Sequence, residues 1–135
     1  MRLTRRGEYA LRAALDLASL EDGHLARSQD IADRQDIPPK FLPQIVNALA
    51  RAEIIETVRG AAGGVRLAKP AGEITVGQIV EVIDGPVALN ECLVAGRPCK
   101  RRRGCTLAPV WDRAQAAMMD VLTSTTLADL EGDLR

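Results

Sequence analysis

A glycine-rich segment, residues 60–64, lies between two short runs of strand-forming residues. The flanking runs, residues 54–58 and 65–68, contain β-branched side chains and have the length of ordinary strands. Two such runs joined by a glycine-containing segment predict a β-hairpin. The hairpin limits the possible folds, because the chain before it shows a helical rather than a strand pattern.

The part of the chain before the hairpin contains three helical patterns, in which apolar residues recur at spacings of three and four. Gly23 is expected to end the first helix, and Ser28 to cap the second. Pro43 fits the third helix if that helix begins near Lys40, because proline in a first turn loses no hydrogen bond. The three helices are predicted over residues 3–20, 29–35 and 40–52.

A second group of elements follows the hairpin. The apolar stripe of residues 75–84 predicts a short helix with Thr75 as its cap. Residues 86–105 show no regular pattern, whereas residues 107–122 predict a longer helix. The polar residues 123–135 are expected to form a tail with a loose end.

Composition restricts the function classes only slightly. The chain has 135 residues, and its 18 basic residues balance 18 acidic ones, so binding of nucleic acid through net charge is not indicated. No apolar stretch is long enough to span a membrane, and the N-terminal residues do not form a signal peptide. We therefore expect a cytoplasmic protein without a membrane partner.

Three helices followed by a hairpin are the order of a winged helix-turn-helix. In that fold the second helix of the pair enters the major groove of double-stranded DNA, and the hairpin, called the wing, contacts the backbone or the minor groove. Small helical domains that bind no nucleic acid can have the same order, so the order alone leaves DNA binding open. The candidate DNA-binding residues lie at the helix starts, on the third helix and on the hairpin: Ser28, Pro39, Lys40, Gln44, Arg59 and Arg66.

All three cysteines of the chain, Cys92, Cys99 and Cys105, fall within fourteen residues. Five cations lie among them and would favour the thiolate form that binds metals: Arg97, Lys100, Arg101, Arg102 and Arg103. Structural zinc sites usually have ligands two to four residues apart, which is closer than the spacing here. The longer gaps favour an iron–sulfur cluster, which needs a fourth ligand.

These features together resemble the iron–sulfur regulators of the IscR/NsrR type, the Rrf-two superfamily. Besides the three cysteines, the motifs that carry the resemblance are Met1-Arg2-Leu3-Thr4, Tyr9-Ala10-Leu11-Arg12, Val58 to Gly64, and Gly77-Gln78-Ile79-Val80. The resemblance implies a [2Fe–2S] or [4Fe–4S] cluster that senses nitric oxide, redox state or the supply of iron or clusters. It also implies a homodimer in which the long helix at 107–122 crosses its partner.

The resemblance further implies that Glu8 is the fourth cluster ligand, donated by the other subunit. The alternative is a helix salt bridge, because Glu8 and Arg12 are four residues apart in the favourable order. Two positions depart from the family pattern. Pro43 stands where some relatives have an acidic residue that reads a base, and the wing tip has Ala61 where relatives commonly have proline.

We therefore expect a mostly α-helical protein with a small β-hairpin, built as a winged helix-turn-helix with a long C-terminal dimerisation helix. The expected segments are a DNA-binding domain over 1–85, a cluster loop over 86–106, and a dimerisation helix with its tail over 107–135. The expected function is that of a transcriptional repressor or other regulator rather than an enzyme. The alternatives are a zinc- or thiol-based regulator of the same fold and a small electron-transfer protein.

Overall fold

The computed structural model describes residues 3–94 and 100–133. Over these residues the chain forms six α-helices and one antiparallel hairpin. The helices are α1 (Arg5–Ala18), α2 (Ser28–Gln35), α3 (Leu42–Arg51), α4 (Val76–Asp84), α5 (Ala108–Ser124) and α6 (Leu127–Asp133). The strands are β1 (Ile55–Val58) and β2 (Gly64–Leu67). The mostly helical fold with a small hairpin is confirmed.

Helix α1 lies at the centre of the fold and packs against α2, α3, α4, α6 and β2. Its buried face is made largely of small side chains, among them Ala10, Ala13 and Ala14. Small side chains allow neighbouring helices to approach closely. The larger residues of the core come from the surrounding elements, including Ile31, Ile45, Leu49 and Ile79. Aliphatic residues therefore fill most of the core of a chain that has few aromatic residues.

Among the residues that the structure describes, one charged side chain is buried in the core. Asp16 of α1 is 3% exposed and accepts hydrogen bonds from Arg34 Nε at 2.9 Å, Arg34 Nη2 at 2.7 Å and Gln35 Nε2 at 3.0 Å. The hydrogen bond to Asp16 raises the pKa of Arg34 above its ordinary value. Because a buried carboxylate needs such partners, Asp16 holds the C-terminal end of α2 against α1.

The start of α1 is held by α4. The Thr4 amide donates to Asp84 Oδ2 at 3.1 Å, and the Thr4 hydroxyl donates to the same carboxylate. The Thr4 hydroxyl also accepts from the Gly7 amide at 3.0 Å, which caps the helix. A Cβ atom at Gly7 would lie 2.5 Å from Asp84 Oδ2, so glycine at this position leaves room for the carboxylate that bonds Thr4.

The hairpin pairs Ile55 with Leu67 at its base and Val58 with Gly64 at its tip. A third segment joins it, because the Ala26 and Val65 backbones exchange hydrogen bonds of 2.9 and 2.7 Å. This bridge attaches the wing to the segment that leads into α2. The wing is therefore fixed relative to the helix-turn-helix.

Several predicted helix boundaries are confirmed. A 3₁₀ turn at Pro39–Phe41 leads into α3, so Pro43 lies in the first turn of that helix. Thr75 caps α4 through a reciprocal arrangement with Gln78, in which each side chain bonds the other residue's backbone amide.

Two expected boundary roles are wrong. Ser28 is the first residue of α2 rather than its cap, and Arg27 occupies the cap position without a side-chain hydrogen bond. Gly23 does not end α1, which stops at Ala18 and closes through the Ser19 amide. The apolar face of α1 ends there, and Gly23 adopts a positive φ in the following turn.

The expectation of a polar, loose tail is also wrong over 127–133, where α6 forms. Leu127 is completely buried, and its amide donates to the Ile74 carbonyl at 2.9 Å. Thr126 and Asp129 cap the helix reciprocally. The C-terminal segment thus returns to the body formed by the N-terminal elements, and α6 packs on α1.

Leu127→Ala tests whether α6 is part of the core. Truncation of a fully buried leucine side chain leaves a cavity, so we expect a loss of about 2–5 kcal/mol in the free energy of unfolding. Urea unfolding at matched protein concentrations measures this loss. A decrease below about 1 kcal/mol would mean that α6 is only loosely attached.

Candidate DNA-binding surface and cysteine pocket

Helix α3 has two distinct faces. Leu42, Ile45 and Leu49 are buried in the core. The opposite face is exposed and polar, and together with the preceding turn it presents Lys40, Pro43, Gln44, Asn47 and Arg51. A helix that is anchored on one side and offers hydrogen-bonding side chains on the other is suited to reading base edges in a groove. We refer to this exposed face as the reading face.

The other candidate DNA-binding residues are accessible as well. Ser28 and Pro39 are accessible at the starts of α2 and of the turn before α3. Arg59 is exposed at the wing tip, in the turn between the strands. Arg66 is half-buried and forms an ion pair with Glu56 across the two strands, so part of its charge is already neutralised.

The wing tip has a defined shape. Gly60 has a φ of 110°, a conformation that other residues rarely adopt. A Cβ atom at Gly63 would overlap the Val58 carbonyl oxygen. Arg27 Nη2 also donates to the Ala61 carbonyl at 3.1 Å, which ties the tip to the start of α2. The turn that presents Arg59 is therefore held by its own close packing at Gly63 and by the hydrogen bond from Arg27.

Two aromatic rings hold the start of α3 against α1. The rings of Tyr9 and Phe41 meet edge to face, with centroids 5.0 Å apart. The Arg12 guanidinium lies 5.4 Å from the centre of the Tyr9 ring, and Lys40 Nζ lies 5.4 Å from that of Phe41. The position of Lys40 on the reading face is therefore coupled to side chains of α1.

The cysteine segment forms a pocket beside α5. Cys92, in the turn Glu91–Leu93, and Cys105, just before α5, are half-buried and free of disulfides. Both line one pocket of about 280 Å³. Its wall also contains Trp111, Arg101 and Arg102. Cys99 and Arg97 lie outside the described residues. Two of the three predicted ligands, Cys92 and Cys105, therefore line the same pocket.

One cation of the pocket is fixed in place. Arg102 Nη2 donates to Asp112 Oδ1 of α5 at 2.6 Å. This hydrogen bond raises the pKa of Arg102, and the nearby Cys92 contributes in the same direction. The guanidinium therefore places a fixed positive charge in the wall of the pocket beside Cys92.

Glu8 lies elsewhere in the single chain. Its carboxylate accepts from Arg12 Nη2 at 3.0 Å, and it is not among the residues that line the cysteine pocket. Arg12 Nη1 also donates to the Gln35 carbonyl at 3.4 Å. The alternative salt bridge is therefore present, and a role of Glu8 as a ligand for another subunit stays a prediction.

Helix α5 is unusual among the helices because none of its residues is buried in the single chain. Val110 and Val121 are exposed over 53% and 61% of their surface, and Leu107, just before the helix, over 54%.

In the described part of the chain, no three His, Cys, Asp or Glu side chains converge as a metal site. Within that same part, no helix has the length and apolar character needed to cross a bilayer.

Comparison with known proteins identifies the family. The family model Rrf2, described as an iron-dependent transcriptional regulator, matches residues 3–133. The chain belongs to the Rrf2 family. It is 39% identical over 134 residues to the transcriptional regulator NsrR of Geobacillus kaustophilus, covering 98% of this chain and 91% of that protein.

Solved structures of Rrf2 regulators have the same fold. CymR, described as the global cysteine regulator of B. subtilis, superposes with a TM-score of 0.81 at 30% identity, covering 98% of this chain and 97% of that one. IscR of T. potens superposes with a TM-score of 0.80 at 28% identity, covering 100% of this chain and 89% of that one. The expected winged-helix, DNA-binding regulator with a C-terminal helix is confirmed, and the relatives are named as regulators rather than enzymes.

Sequence reasoning missed several residues that shape this Rrf2 regulator's surface. Arg27 supports the wing tip, and Arg12, whose pairing with Glu8 the spacing predicts, also contacts the Gln35 carbonyl at the end of α2. Arg6 lies beside the reading face, and Arg51 belongs to it. Helical spacing places Arg51 on that face, because it lies seven residues after Gln44. The other contacts join distant segments, and no local pattern indicates them.

Gly63→Ala tests the wing. The added methyl group would overlap the Val58 carbonyl, so the tip must change shape and Arg59 must move. We expect operator affinity to fall about tenfold, the order of effect seen when one arginine no longer reaches the DNA. Fluorescence anisotropy with labelled duplex measures the effect.

The matched control is Ala62→Ser, a small change at an exposed neighbouring position. It should leave affinity unchanged, and both variants should unfold near the wild-type temperature because the tip is exposed. Equal affinities of Gly63→Ala and the wild type would exclude a role for the wing shape in binding.

Proposed function

We propose that this Rrf2 regulator is a homodimer whose affinity for operator DNA is switched by an iron–sulfur cluster. Cys92, Cys99 and Cys105 are the proposed thiolate ligands, and Glu8 of the other subunit is the proposed fourth ligand. The proposed place of action is the cytoplasm, where the DNA is. The observation that carries the proposal is the shared pocket of Cys92 and Cys105.

The residues of the pocket fit such a group. Both described cysteines are free and half-buried, so their sulfur atoms are available to a ligand while being partly shielded from water. Arg101 offsets part of the negative charge that bound thiolates bring to the pocket, and Arg102 contributes what its ion pair with Asp112 leaves. Trp111 and Ala108 supply apolar wall, which limits solvent access. When bound, the cluster would supply a redox-active and chemically labile centre.

Arg12 offers a connection between Glu8 and the reading face. In the single chain it bonds Glu8, the Gln35 carbonyl and the face of Tyr9. If the Glu8 carboxylate turns toward iron, Arg12 loses its charged partner and must redistribute its contacts. Gln35 ends α2, and Tyr9 packs on Phe41 at the start of α3. The change would therefore alter the contacts that hold α3 in position.

The exposed side of α5 supports the homodimer. Val110 and Val121 of this helix are more than half exposed in the single chain, as is Leu107 just before it. Apolar residues repeated along one long helix are suited to packing against a second copy. A twofold dimer would present two reading faces about one DNA turn apart, roughly 34 Å, to a near-palindromic site.

A second candidate function is a regulator based on thiol oxidation or zinc. The similarity to CymR, a protein described as a cysteine regulator, is as close as that to IscR, since the TM-scores are 0.81 and 0.80. Free cysteines that share a partly accessible pocket are also suited to oxidation, because thiol oxidation requires access to the sulfur atoms. In this case operator affinity would respond to oxidants without any bound iron.

The switch is tested by operator binding in two preparations. A duplex selected from random sequences by the dimer is titrated with protein purified without oxygen, and again after iron is removed with a chelator. We expect the two dissociation constants to differ by about tenfold or more, in the range of ordinary allosteric coupling. Cys105→Ser should bind equally in both preparations.

Three results would contradict parts of the proposal. Equal affinities of the two wild-type preparations would exclude control by a cluster. Affinity that changes only with oxidation and reduction of an iron-free protein would favour the thiol regulator. Failure to select any preferred sequence in either preparation would reject specific DNA recognition by this chain.

Glu8→Ala tests the fourth ligand. Loss of a carboxylate from the iron should change the visible absorption of the anaerobic protein and accelerate cluster loss in air. Glu21→Ala is the control, because Glu21 is an exposed carboxylate in the loop that follows α1. Identical spectra and loss rates of Glu8→Ala and the control would leave Glu8 with its salt bridge to Arg12 alone.

A further inference from the structure

A small surface pocket lies on one side of α3. It has a volume of about 300 Å³ and is lined by Arg6 of α1 and by Gln44, Asn47, Ala48 and Arg51 of α3. Gln44, Asn47 and Arg51 belong to the reading face and are spaced by three and four residues along α3. Arg6 reaches this surface from a different helix. Two arginines from distant parts of the sequence thus border the reading face.

Neither arginine has an acidic partner among the described residues. Within that part of the chain, the arginines found in ion pairs are Arg12, Arg34, Arg66 and Arg102. Asp84, next to the start of α1, directs its carboxylate to Thr4. The positive charge of Arg6 and Arg51 therefore remains available to an anion from outside.

Arg6 is held in position despite its exposure. Its Nη2 atom donates to the Ile83 carbonyl near the end of α4 at 3.1 Å. A guanidinium has five N–H donors, so this bond leaves several for another ligand. The pairing of Thr4 with Asp84 fixes the same end of α1. A positioned guanidinium loses less freedom on binding a phosphate than a freely moving side chain does.

We propose that Arg6 and Arg51 bind a phosphate of the DNA backbone at the edge of the major groove. The proposal rests on the placement of α3 in that groove. Base-reading residues are normally flanked by phosphate contacts, which fix the register of a protein on the duplex without reading sequence. Arginine is suited to phosphate because its fork of donors matches two oxygen atoms. Arg6 would thus set the depth and angle of α3 from outside the helix-turn-helix.

The experiment compares Arg6→Ala, Arg51→Ala and Arg113→Ala in binding to the selected operator over a series of salt concentrations. Arg113 is an exposed arginine of α5 that lacks an ion pair in the described structure, so its removal is the charge-matched control. Sedimentation confirms that all variants keep the wild-type oligomeric state. Arg51→Ala complements Arg6→Ala, because the hydrogen bond to Ile83 makes loss of Arg6 a risk to folding.

We expect Arg6→Ala and Arg51→Ala each to weaken operator binding about fivefold to tenfold. Because the two arginines share one phosphate, the slope of log affinity against log salt should become shallower by at most about 0.9 for each phosphate left without neutralisation, hence by at most about 1.8 for a dimer. The ratio of affinities for operator and random DNA should remain constant, because phosphate binding carries no sequence information. Arg6→Lys should recover part of the affinity.

Two results would overturn the proposal. Salt slopes of both alanine variants equal to that of Arg113→Ala would show that neither arginine contacts phosphate. A lost preference for operator over random DNA with an unchanged slope would assign the arginines to base reading instead. Since wild-type binding is measured in the same series, failure of this inference is distinguishable from failure of DNA recognition as a whole.

Discussion

The burial of Asp16 decides where the helix-turn-helix lies on the rest of the protein. A carboxylate that is 3% exposed must be neutralised or hydrogen-bonded, and its partners Arg34 and Gln35 are the last two residues of α2. The interaction therefore fixes the end of α2, which is the point where the chain turns toward α3. Breaking such a pair from one side is costly, since the remaining buried charge has no adequate substitute.

The same helix carries the other contacts that could report on a bound cluster. Glu8, Arg12 and Asp16 are spaced by four residues, so they lie along one side of α1. Arg12 and Asp16 both contact the end of α2, and Tyr9 contacts the residue that precedes α3. In the proposed function, Glu8 at one end of α1 is a cluster ligand, and Asp16 at the other end holds α2, which leads to the reading face. The cluster and the reading face are therefore connected through one helix. Such an arrangement can shift the protein between states of high and low affinity for DNA without a large structural change.

Much of the fold follows from local patterns in the sequence. The glycine segment at 60–64 predicts the hairpin, and Pro43 indicates where α3 begins. Thr75 predicts its own capping arrangement. The clustering of the cysteines predicts that they meet, and Cys92 and Cys105 do line one pocket. The hairpin, the start of α3 and the cap of α4 are each determined by residues within a few positions of one another, which a single sequence displays directly.

Other features depend on contacts between distant segments. Asp16 has the sequence context of an ordinary polar helix residue, and its burial becomes visible only when α2 is placed on α1. The polar composition of the tail predicts a loose end, yet Leu127 enters the core beside Ile74. The spacing of Thr126 and Asp129 is a capping signal that could have indicated α6.

In the proposed function, the cysteine pocket holds an iron–sulfur cluster in a dimeric regulator. Native mass spectrometry of protein purified without oxygen, recorded with its visible absorption, tests this most directly. We expect a dimer whose mass includes iron and sulfide on each chain and whose solution is coloured. A dimer that carries zinc, or no metal even after cluster reconstitution, would contradict the cluster and leave a winged-helix regulator controlled by its thiols or by zinc.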